Sequence, residues 1–341
     1  MKYLVFRNDR IGDFFITAPL LHSLRRNDST AEISVVCSEK NIEFIKKFDL
    51  VDEVFILKNR KLNSRINLFQ ELRRKKFDAI IVADRKNRSL IYGLLIKSNF
   101  KILNVSKKFQ KIFFNFFFKN VFLLNDYNNT TNEENLRQNL NVFNFKLFQD
   151  DYHFIKKGYF KSNLNIESHL DINNENIIFH LDEKWNTKNY SKFFKKAQTF
   201  TDITIIEEQL ISFLKKVIKK SNKSIVITSG NLDNELIEVL LKRSEKISNY
   251  IYKFNLNNTF VYIVYKADIF SMIDLISKSK IIITCHGAFT HVASNYSLKI
   301  LDIIEENKKT HYQKITSHMK NYKSLYRENF DLLSEKILNF L

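Results

Sequence analysis

The chain has very little glycine, proline or cysteine: its 341 residues include 5, 1 and 2 of them, respectively. The two cysteines, Cys37 and Cys285, fall in predicted strands, so we expect both thiols to be reduced and buried. Arg7, Asp9 and Arg10 come almost at the start, which predicts no signal peptide. No run of about 18 apolar residues is present, which predicts no membrane span. These absences together indicate a cytoplasmic protein.

The sequence also lacks the patterns that identify several ligand classes. A Gly-x-Gly-x-x-Gly fingerprint is absent, which argues against a nicotinamide-type site. Neither a Cys/His finger spacing nor an Arg/Lys-Gly-aromatic signature is present, which argues against nucleic acid as a partner. Cys285, His286 and His291 have no fourth ligand at a familiar spacing, so no metal is expected. Because adjacent strand residues point to opposite faces, His286 is also poorly placed to activate Cys285 as a nucleophile.

What the chain does have is length, apolar content and positive charge. Its 55 basic and 37 acidic residues give a formal net charge of +18, and 44% of its residues are hydrophobic. A chain of this length suits two domains rather than one ordinary core. The charge favours anionic partners: nucleic acid, phosphorylated sugars or acidic membranes.

Apolar runs alternate with helix-like spacing along most of the chain. This alternation predicts an α/β fold with parallel, doubly wound sheets. The stretch 146–175 lacks clear periodicity and is expected to connect two domains, at 1–160 and 175–315, with terminal helices at 316–341. The predicted strands are 3–6, 31–37, 51–57, 77–84 and 101–104 in the first domain and 176–180, 224–230, 260–265, 281–283 and 300–304 in the second.

Two strand–turn–helix stretches offer ligand chemistry. In residues 281–296 an apolar strand is followed by Gly287 and a helix start near Thr290, a geometry that points backbone N–H groups at an anion. The same stretch also fits an ordinary turn of an α/β protein. In residues 2–26, Gly12 and Asp13 lie at the carboxyl end of the first strand, where open α/β sheets bind ligands. Asp13 can cap the following helix or act as a base there.

These two stretches together resemble glycosyltransferase family nine, the lipopolysaccharide heptosyltransferase family. The matching residues are Arg-Ile-Gly-Asp-Phe-Phe-Ile-Thr-Ala-Pro-Leu-Leu-His-Ser-Leu-Arg at 10–25 and His-Gly-Ala-Phe-Thr-His-Val-Ala-Ser at 286–294. The resemblance extends over nearly the whole chain, although only these two stretches are specific. It implies a GT-B type fold, in which two Rossmann-like domains face a central cleft and the terminal helices cross back to the first domain.

The resemblance also implies an inverting transfer of a sugar from a nucleotide diphosphate donor, similar to ADP-heptose, to a lipopolysaccharide core, another surface glycan or a lipid-linked acceptor. Asp13 would be the general base, with Arg10 and Gly12 on the acceptor side. Lys184, beside the only tryptophan, would contact the donor's phosphates, and no metal or other cofactor is implied. The remaining donor-binding residues implied are Glu235, His286, Gly287, Ala288, Phe289, Thr290 and His291.

Several of these residues have a simpler interpretation. Lys184 also fits a solvated side chain beside a half-buried tryptophan, and Glu235 fits a residue that favours the helix dipole rather than a ribose contact. The family usually has an Asp that contacts the sugar at the position of His286, and a neutral imidazole accepts only one hydroxyl hydrogen bond. Ala288 and Phe289 also depart from the family's small residues. A non-catalytic nucleotide-sugar-binding protein on the same fold is therefore the alternative.

Residues 107–124 are rich in phenylalanine and lysine. On a helix, Lys108, Lys111, Asn115 and Lys119 form one polar stripe among aromatic side chains. One interpretation is a buried helix with a single wet face. The other is a helix at the inner face of an anionic membrane, which would make the protein peripheral.

Overall fold

The computed structural model describes residues 1–58, 62–105, 110, 112, 114, 121–124, 130–160, 175–186, 203–296 and 298–341. The chain divides into two compact units. The first unit comprises Met1–Lys161 and Gln313–His318, and the second comprises Ser162–Tyr312 and Met319–Leu341.

The first unit is built on a six-stranded sheet in which every neighbouring pair is parallel, in the order β3-β2-β1-β4-β5-β6. Its strands are β1 (Lys2–Arg7), β2 (Glu32–Cys37), β3 (Glu53–Ile56), β4 (Ala79–Val82), β5 (Phe100–Asn104) and β6 (Val121–Leu124). β1 and β4 are buried along nearly their whole length, as expected for central parallel strands covered on both faces. Chain order reverses between β1 and β4, and such a switch point opens a crevice at the carboxyl ends of the strands.

Helices cover this sheet, and the first of them positions the site. They are α1 (Ile11–Asn27), α2 (Ile42–Ile45), α3 (Leu62–Arg74), α4 (Asn87–Leu95) and α5 (Asn132–Asn141), with a 3₁₀ turn at Gln149–His153. The only proline, Pro19, lies inside α1, so the helix lacks the hydrogen bond that residue 19 would donate. Phe14 and Phe15 nevertheless anchor α1 against Phe44, with ring centroids 6.0 and 5.0 Å apart.

The second unit repeats this arrangement in a larger sheet, in the order β14-β13-β12-β7-β8-β11-β10-β9. Its strands are β7 (Ile177–Leu181), β8 (Ile225–Ser229), β9 (Glu245–Lys246), β10 (Ile251–Leu256), β11 (Thr259–Val264), β12 (Ile281–Cys285), β13 (Lys299–Ile304) and β14 (Tyr322–Tyr326). The pairs from β14 to β11 are parallel, and β10 and β9 add an antiparallel edge. The switch point lies between β7 and β12.

The helices of the second unit flank that sheet, and its main apolar core includes alternate residues of the central strands, such as Ile177, Phe179 and Leu181. They are α6 (Glu207–Ser221), α7 (Glu235–Lys242), α8 (Ile269–Ser277), α9 (Ala288–Ala293), α10 (Lys309–Thr316) and α11 (Phe330–Phe340), with 3₁₀ turns at Glu183–Trp185 and Glu306–Lys308. The residues 313–316 of α10 group with the first unit. The α/β fold with two doubly wound parallel sheets is therefore confirmed.

Two sequence predictions differ from the structure. The segment 316–341, predicted to be helical, also contains a strand: Tyr322–Tyr326 pairs with β13. The helix α11 that follows buries Phe330, Leu333 and Ile337 in the second unit's core. Val121–Leu124, the end of the predicted helix at 107–124, is a strand.

The rest of that basic aromatic segment lies outside the described residues, apart from residues 110, 112 and 114. Lys108, Lys111 and Lys119 are among those not described, so the choice between a core helix and a membrane-surface helix stays a prediction. No helix among the described residues is long and apolar enough to cross a bilayer.

Candidate functional site

The switch point of the first unit joins the loops that follow β1 and β4. The backbone N–H of Asn8 donates a 2.9 Å hydrogen bond to Asp84 Oδ2, and Ser89 Oγ donates one of 2.8 Å to the same carboxylate. Asp84 is 1% exposed, and this burial raises its pKa. The two loops are thus held together beside the start of α1.

A polar pocket of about 200 Å³ opens at this place. Its lining residues are Asn8, Asp9, Arg10, Asp13, Ser38, Lys40, Lys86 and Arg88. Asn8 is 2% exposed, and neither its Nδ2 nor its Oδ1 has a hydrogen-bond partner within the described part of the chain. An unpaired buried amide costs free energy, so a ligand with both a donor and an acceptor would stabilise this pocket.

Asp13 caps α1 from the third position of the helix. Its Oδ2 accepts a 3.2 Å hydrogen bond from the backbone N–H of Arg10, and its Oδ1 lies 3.5 Å from a terminal nitrogen of Arg7. The Asp13 side chain is still 41% exposed. Arg10 is the residue that precedes α1, and Gly12 lies in the helix's first turn. Asp13 thus caps the helix. This cap does not prevent the carboxylate from also acting as a base.

In the second unit, Lys184 lies in the 3₁₀ turn directly after β7. Trp185 anchors this turn: it is fully buried, packs edge-on against Phe179, and donates its indole N–H to the carbonyl oxygen of His180 at 2.7 Å. Lys184 Nζ donates to Asp182 Oδ2 at 2.7 Å and to the carbonyl oxygen of His286 at 2.8 Å. With its side chain 23% exposed, Lys184 is not the solvated lysine of the simpler interpretation.

The charge of Lys184 is fixed by its surroundings. Burial by itself lowers the pKa of Lys184, but the Asp182 carboxylate outweighs that effect, and the pKa lies above its usual value. An ammonium group has three N–H donors. Two are used by Asp182 and His286, and no third partner occurs in the described part of the chain. One donor of a permanent cation therefore remains for a ligand.

Gly287 allows this lysine to reach the turn between β12 and α9. A Cβ at Gly287 would lie 3.1 Å from Lys184 Nζ, closer than an ordinary van der Waals contact. The N–H of Gly287 donates to Thr290 Oγ1 at 3.3 Å, and Thr290 is fully buried. The Thr290 side chain therefore shapes the turn. Ala288 and Phe289 begin α9 with partly exposed side chains.

His286 and His291 lie on either side of this turn. His286 Nδ1 is 2.6 Å from Oδ2 of Asp302 on β13, and the His286 side chain is 10% exposed. His291 is 5% exposed, and its ring meets that of His286 edge-on at 5.3 Å. His286 thus belongs to the surface of the site, whereas His291 packs behind it.

Glu235 is the first residue of α7 and is exposed. Asn234, the residue before it, caps α7 through Leu236 N–H at 3.1 Å and donates to the carbonyl oxygens of Leu181 and Asp182 at 3.3 Å each. The start of α7 is therefore tied to the end of β7. The structure brings Glu235 to the same edge of the sheet as Lys184.

The sequence did not indicate the acidic residues that organise the second unit's site, Asp182 and Asp302, or the amide of Asn8. Asp302 had a signal: it is the only charged residue after the first position of an apolar strand, Lys-Ile-Leu-Asp-Ile-Ile. A carboxylate there is buried, and a buried carboxylate requires partners. Cys285, by contrast, is a buried thiol whose pKa is raised by burial, as expected for a non-nucleophilic cysteine. Among the described residues, no group of acidic, histidine or cysteine side chains is arranged to hold a metal.

Solved structures with this fold include glycosyltransferases and epimerases. The glycosyl transferase family 9 protein from Veillonella parvula aligns with a TM-score of 0.63 and 14% identity, covering 98% of this chain and 88% of that one. E. coli heptosyltransferase WaaC with ADP-2-deoxy-2-fluoro heptose aligns with a TM-score of 0.65 and 12% identity over 100% of both chains. The UDP-GlcNAc 2-epimerase from Methanocaldococcus jannaschii has a TM-score of 0.55 and 12% identity, covering 100% of this chain and 92% of that one.

No protein-family model matches the sequence, and no curated protein matches it either. The solved structures nevertheless confirm the resemblance to glycosyltransferase family nine at the level of the fold. The chain has the GT-B type fold of heptosyltransferases along nearly its whole length. Because UDP-GlcNAc 2-epimerases share this fold, chemistry has to be argued from the residues at the two switch points.

Proposed function

We propose that the protein is an inverting glycosyltransferase. It moves a heptose-like sugar from a nucleotide diphosphate donor, similar to ADP-heptose, to a hydroxyl group of a lipopolysaccharide core or a related surface glycan. The observation that carries this proposal is Lys184, a cation with one N–H donor left over at the switch point of the second sheet. The fold likeness to heptosyltransferases, one of them with an ADP-heptose analogue, supports the same donor class.

The second unit is proposed to bind the donor. Lys184 neutralises charge on the diphosphate, and the first backbone N–H groups of α9, at Ala288 and Phe289, add hydrogen bonds to it. Glu235 accepts hydrogen bonds from the ribose hydroxyls. When the bond from the anomeric carbon to the diphosphate breaks, these groups stabilise the negative charge of the leaving group, so the proposed reaction needs no bound metal.

The first unit is proposed to bind the acceptor and supply the base. The acceptor hydroxyl attacks the anomeric carbon from the face opposite the diphosphate, which inverts its configuration. Asp13 takes the hydroxyl proton as the new bond forms. Arg10 and the unpaired amide of Asn8 line the same pocket and are proposed, together with Gly12 in the first turn of α1, to hold the acceptor's polar groups.

A donor panel tests the proposal directly. ADP-heptose, ADP-glucose, UDP-glucose and UDP-N-acetylglucosamine are each added to the protein, and the melting temperature is measured. A ligand at about 100 times its dissociation constant stabilises the folded state by about 2.7 kcal/mol. We expect the largest shift with ADP-heptose and release of ADP when a lipopolysaccharide-core acceptor is added. No shift with any of the four would contradict the proposal.

A non-catalytic nucleotide-sugar-binding protein is the second candidate, because Asp13 is already engaged by Arg7 and by the helix cap. The two candidates agree on donor binding and differ on turnover. A donor that binds tightly but is never transferred, with core, lipid-linked and surface-glycan acceptors all tried, would favour the binding protein.

Peripheral membrane contact is a separate proposal, supported by the basic aromatic sequence at 107–124. Basic residues near an anionic leaflet contribute about 1 kcal/mol each. Replacing Lys108, Lys111 and Lys119 by Glu is expected to abolish sedimentation with anionic vesicles and to leave donor binding unchanged. A lower melting temperature with unchanged vesicle binding would instead indicate a core helix.

A further inference from the structure

Arg327 is a buried arginine that directly follows β14 in the second unit. It is 4% exposed. Its backbone N–H donates to the carbonyl oxygen of Ile304 on β13 at 2.9 Å, which extends the pairing of these two strands by one residue. Because β13, β12 and β7 are parallel to β14, they end at the same edge of the sheet. Arg327 is therefore fixed at the edge where Lys184 lies.

The guanidinium group of Arg327 contacts two of these strand ends. Nη1 donates to the thiol sulphur of Cys285, the last residue of β12, at 3.3 Å, and Nη2 donates to the backbone carbonyl oxygen of Lys184. Both hydrogen bonds come from one planar group whose donors have a fixed spacing. Arg327 thus joins the 3₁₀ turn Glu183–Trp185, here called the Lys184 turn, to the end of β12.

Lys184 makes a second connection between the same two segments. Its Nζ donates to the carbonyl oxygen of His286, the residue after Cys285, at 2.8 Å. Arg327 therefore holds the backbone of Lys184, and the residue after Cys285 holds its ammonium group. Loss of the guanidinium would leave the ammonium contact in place but would release the backbone that carries it.

The Lys184 turn has separate contacts on its other sides. Trp185 is fully buried and donates its indole N–H to the carbonyl oxygen of His180 at 2.7 Å. A Cβ at Gly230 would lie 3.2 Å from Glu183 Oε2, so the loop after β8 packs closely against the turn. Donor groups bind an anion best when their positions are fixed before it arrives. Arg327 supplies the fixed contact on the β12 side.

We propose that Arg327 is a positioning residue of the donor site, whose guanidinium fixes the Lys184 turn against β12 and thereby holds the Lys184 ammonium for a diphosphate. The inference rests on the proposed function, because it needs a nucleotide diphosphate at Lys184. It goes further by giving a buried residue, which acts through Lys184, a role in donor affinity. It also gives β14 a part in the site, since this strand places Arg327.

The first test needs no ligand, because Trp185 is the only tryptophan and lies in the turn. Acrylamide quenching of its fluorescence is measured in folded wild type, Arg327→Met and Arg327→Lys. Met removes both donors, and Lys has a single ammonium group in place of the planar fork. We expect a larger quenching constant in Arg327→Met, and a smaller increase in Arg327→Lys, because the released turn opens more often.

The second test is titration calorimetry of the same variants with ADP-heptose and with ADP. Both ligands carry the diphosphate, so Arg327→Met should raise both dissociation constants by about three- to tenfold, the scale of one hydrogen bond. Arg327→Lys should lie between this variant and wild type. Because Arg327 is proposed to act through Lys184, adding Arg327→Met to Lys184→Ala should weaken binding no further.

The control is Leu256→Ala, a change in the apolar core of the same unit. Leu256 pairs with Thr259, where β11 begins, so it lies at the opposite edge of the parallel strands from Lys184. This variant should have a lower melting temperature but wild-type quenching of Trp185 and wild-type donor affinity. Melting temperatures show whether each variant is folded, and Arg327→Lys decides the question if Arg327→Met is not.

Three outcomes would overturn the inference. Unchanged quenching of Trp185 in a folded Arg327 variant would show that the guanidinium does not hold the turn. Increased quenching with wild-type affinity would show that the turn's position does not matter to the donor. An equal loss of affinity from Arg327→Met with and without Lys184→Ala would show that Arg327 does not act through Lys184. If neither ligand binds the wild type, the proposed function fails, whereas the quenching still decides whether Arg327 holds the turn.

Discussion

The two switch points have the same strand order but opposite chemical character. In the first unit, the site is an open pocket whose acid, Asp13, is 41% exposed and held only by a cap and an ion pair. In the second unit, each basic group at the site is held by a nearly or fully buried carboxylate, Lys184 by Asp182 and His286 by Asp302. The first arrangement suits a group that exchanges a proton with a ligand. The second suits a fixed positive charge at Lys184, whose pKa is raised by Asp182.

The difference arises from the helices that follow the central strands. α1 has 17 residues and begins with Asp13 in its first turn, so a carboxylate lies at the helix start. α9 has 6 residues and begins after Gly287, with no acid in its first turn. One fold thus places a carboxylate in the first turn of α1 in the first unit and none in the first turn of α9 in the second.

The largest effect expected is from Asp13→Asn. Asn keeps an oxygen that can accept from Arg10 N–H, but it cannot take a proton from the acceptor. Turnover should fall by about a hundredfold or more, the usual scale of general-base loss, with donor affinity unchanged. The control is Asp28→Asn at the other end of α1, which affects stability alone. Wild-type turnover in Asp13→Asn would remove Asp13 from the mechanism.

The second effect concerns stability at acid pH. Burial lowers the pKa of His180 to about 4, against about 6.5 in an unfolded chain, so only the unfolded state binds this proton between those values. The stabilisation is complete above pH 6.5 and is lost as pH falls toward 4, by about 3 kcal/mol at most.

Trp185 is the only tryptophan and is buried in the second unit, so its fluorescence follows the unfolding of that unit. Urea unfolding of His180→Asn should show a flatter dependence on pH than the wild type, whereas His311→Asn should not. The first unit has a partly buried histidine, His318, whose pKa is also lowered to about 4 by desolvation. The acid sensitivity of the first unit should be unchanged in both variants. If the stability of His180→Asn depended on pH as steeply as that of the wild type, His180 would not be the source of the loss of stability at acid pH.

Lys184→Ala should weaken donor binding by about ten- to hundredfold, because it removes a hydrogen bond to a charged group. Titration calorimetry with the nucleotide sugar measures the change. Lys278→Ala is the matched control, since Lys278 also pairs with an aspartate, Asp274, but lies at the end of α8. Equal affinity in Lys184→Ala and wild type would show that the ammonium does not meet the donor.

The smallest effect expected is from Glu235→Gln, about three- to tenfold in donor affinity, as for a single hydrogen bond. The loss should disappear when the ribose of the donor is replaced by 2′-deoxyribose, because the contact is proposed to be with the hydroxyls. Glu238→Gln, on the same helix, serves as control. A loss of the same size with both sugars would place Glu235 elsewhere than on the ribose.

The sequence was a good guide to the central strands and to the turns that follow them. Short apolar runs such as Ile281–Cys285 predict a buried strand, which the structure has. Gly287 and Asp13 mark the turns that follow β12 and β1. It was a poor guide where a segment's partner is distant. Tyr322–Tyr326 becomes a strand because β13 lies beside it, and nothing within those five residues specifies that neighbour.

The same limit applies to the site. The contact of Lys184 with His286 spans 102 residues, and that of Asn8 with Asp84 spans 76. The turn after the first strand indicated Asp13, and the resemblance to glycosyltransferase family nine indicated Lys184. Neither could pair Asp302 with His286 or predict that the amide of Asn8 has no partner in the described part of the chain. Those facts depend on tertiary packing.

The most direct test of the account is one donor titration carried out on wild type, Asp13→Asn and Lys184→Ala, with turnover measured on the same samples. If the first unit supplies the base and the second the phosphate site, Asp13→Asn binds the donor like wild type and does not turn it over, whereas Lys184→Ala loses affinity. Donor affinity that depends on Asp13 and not on Lys184 would contradict the account.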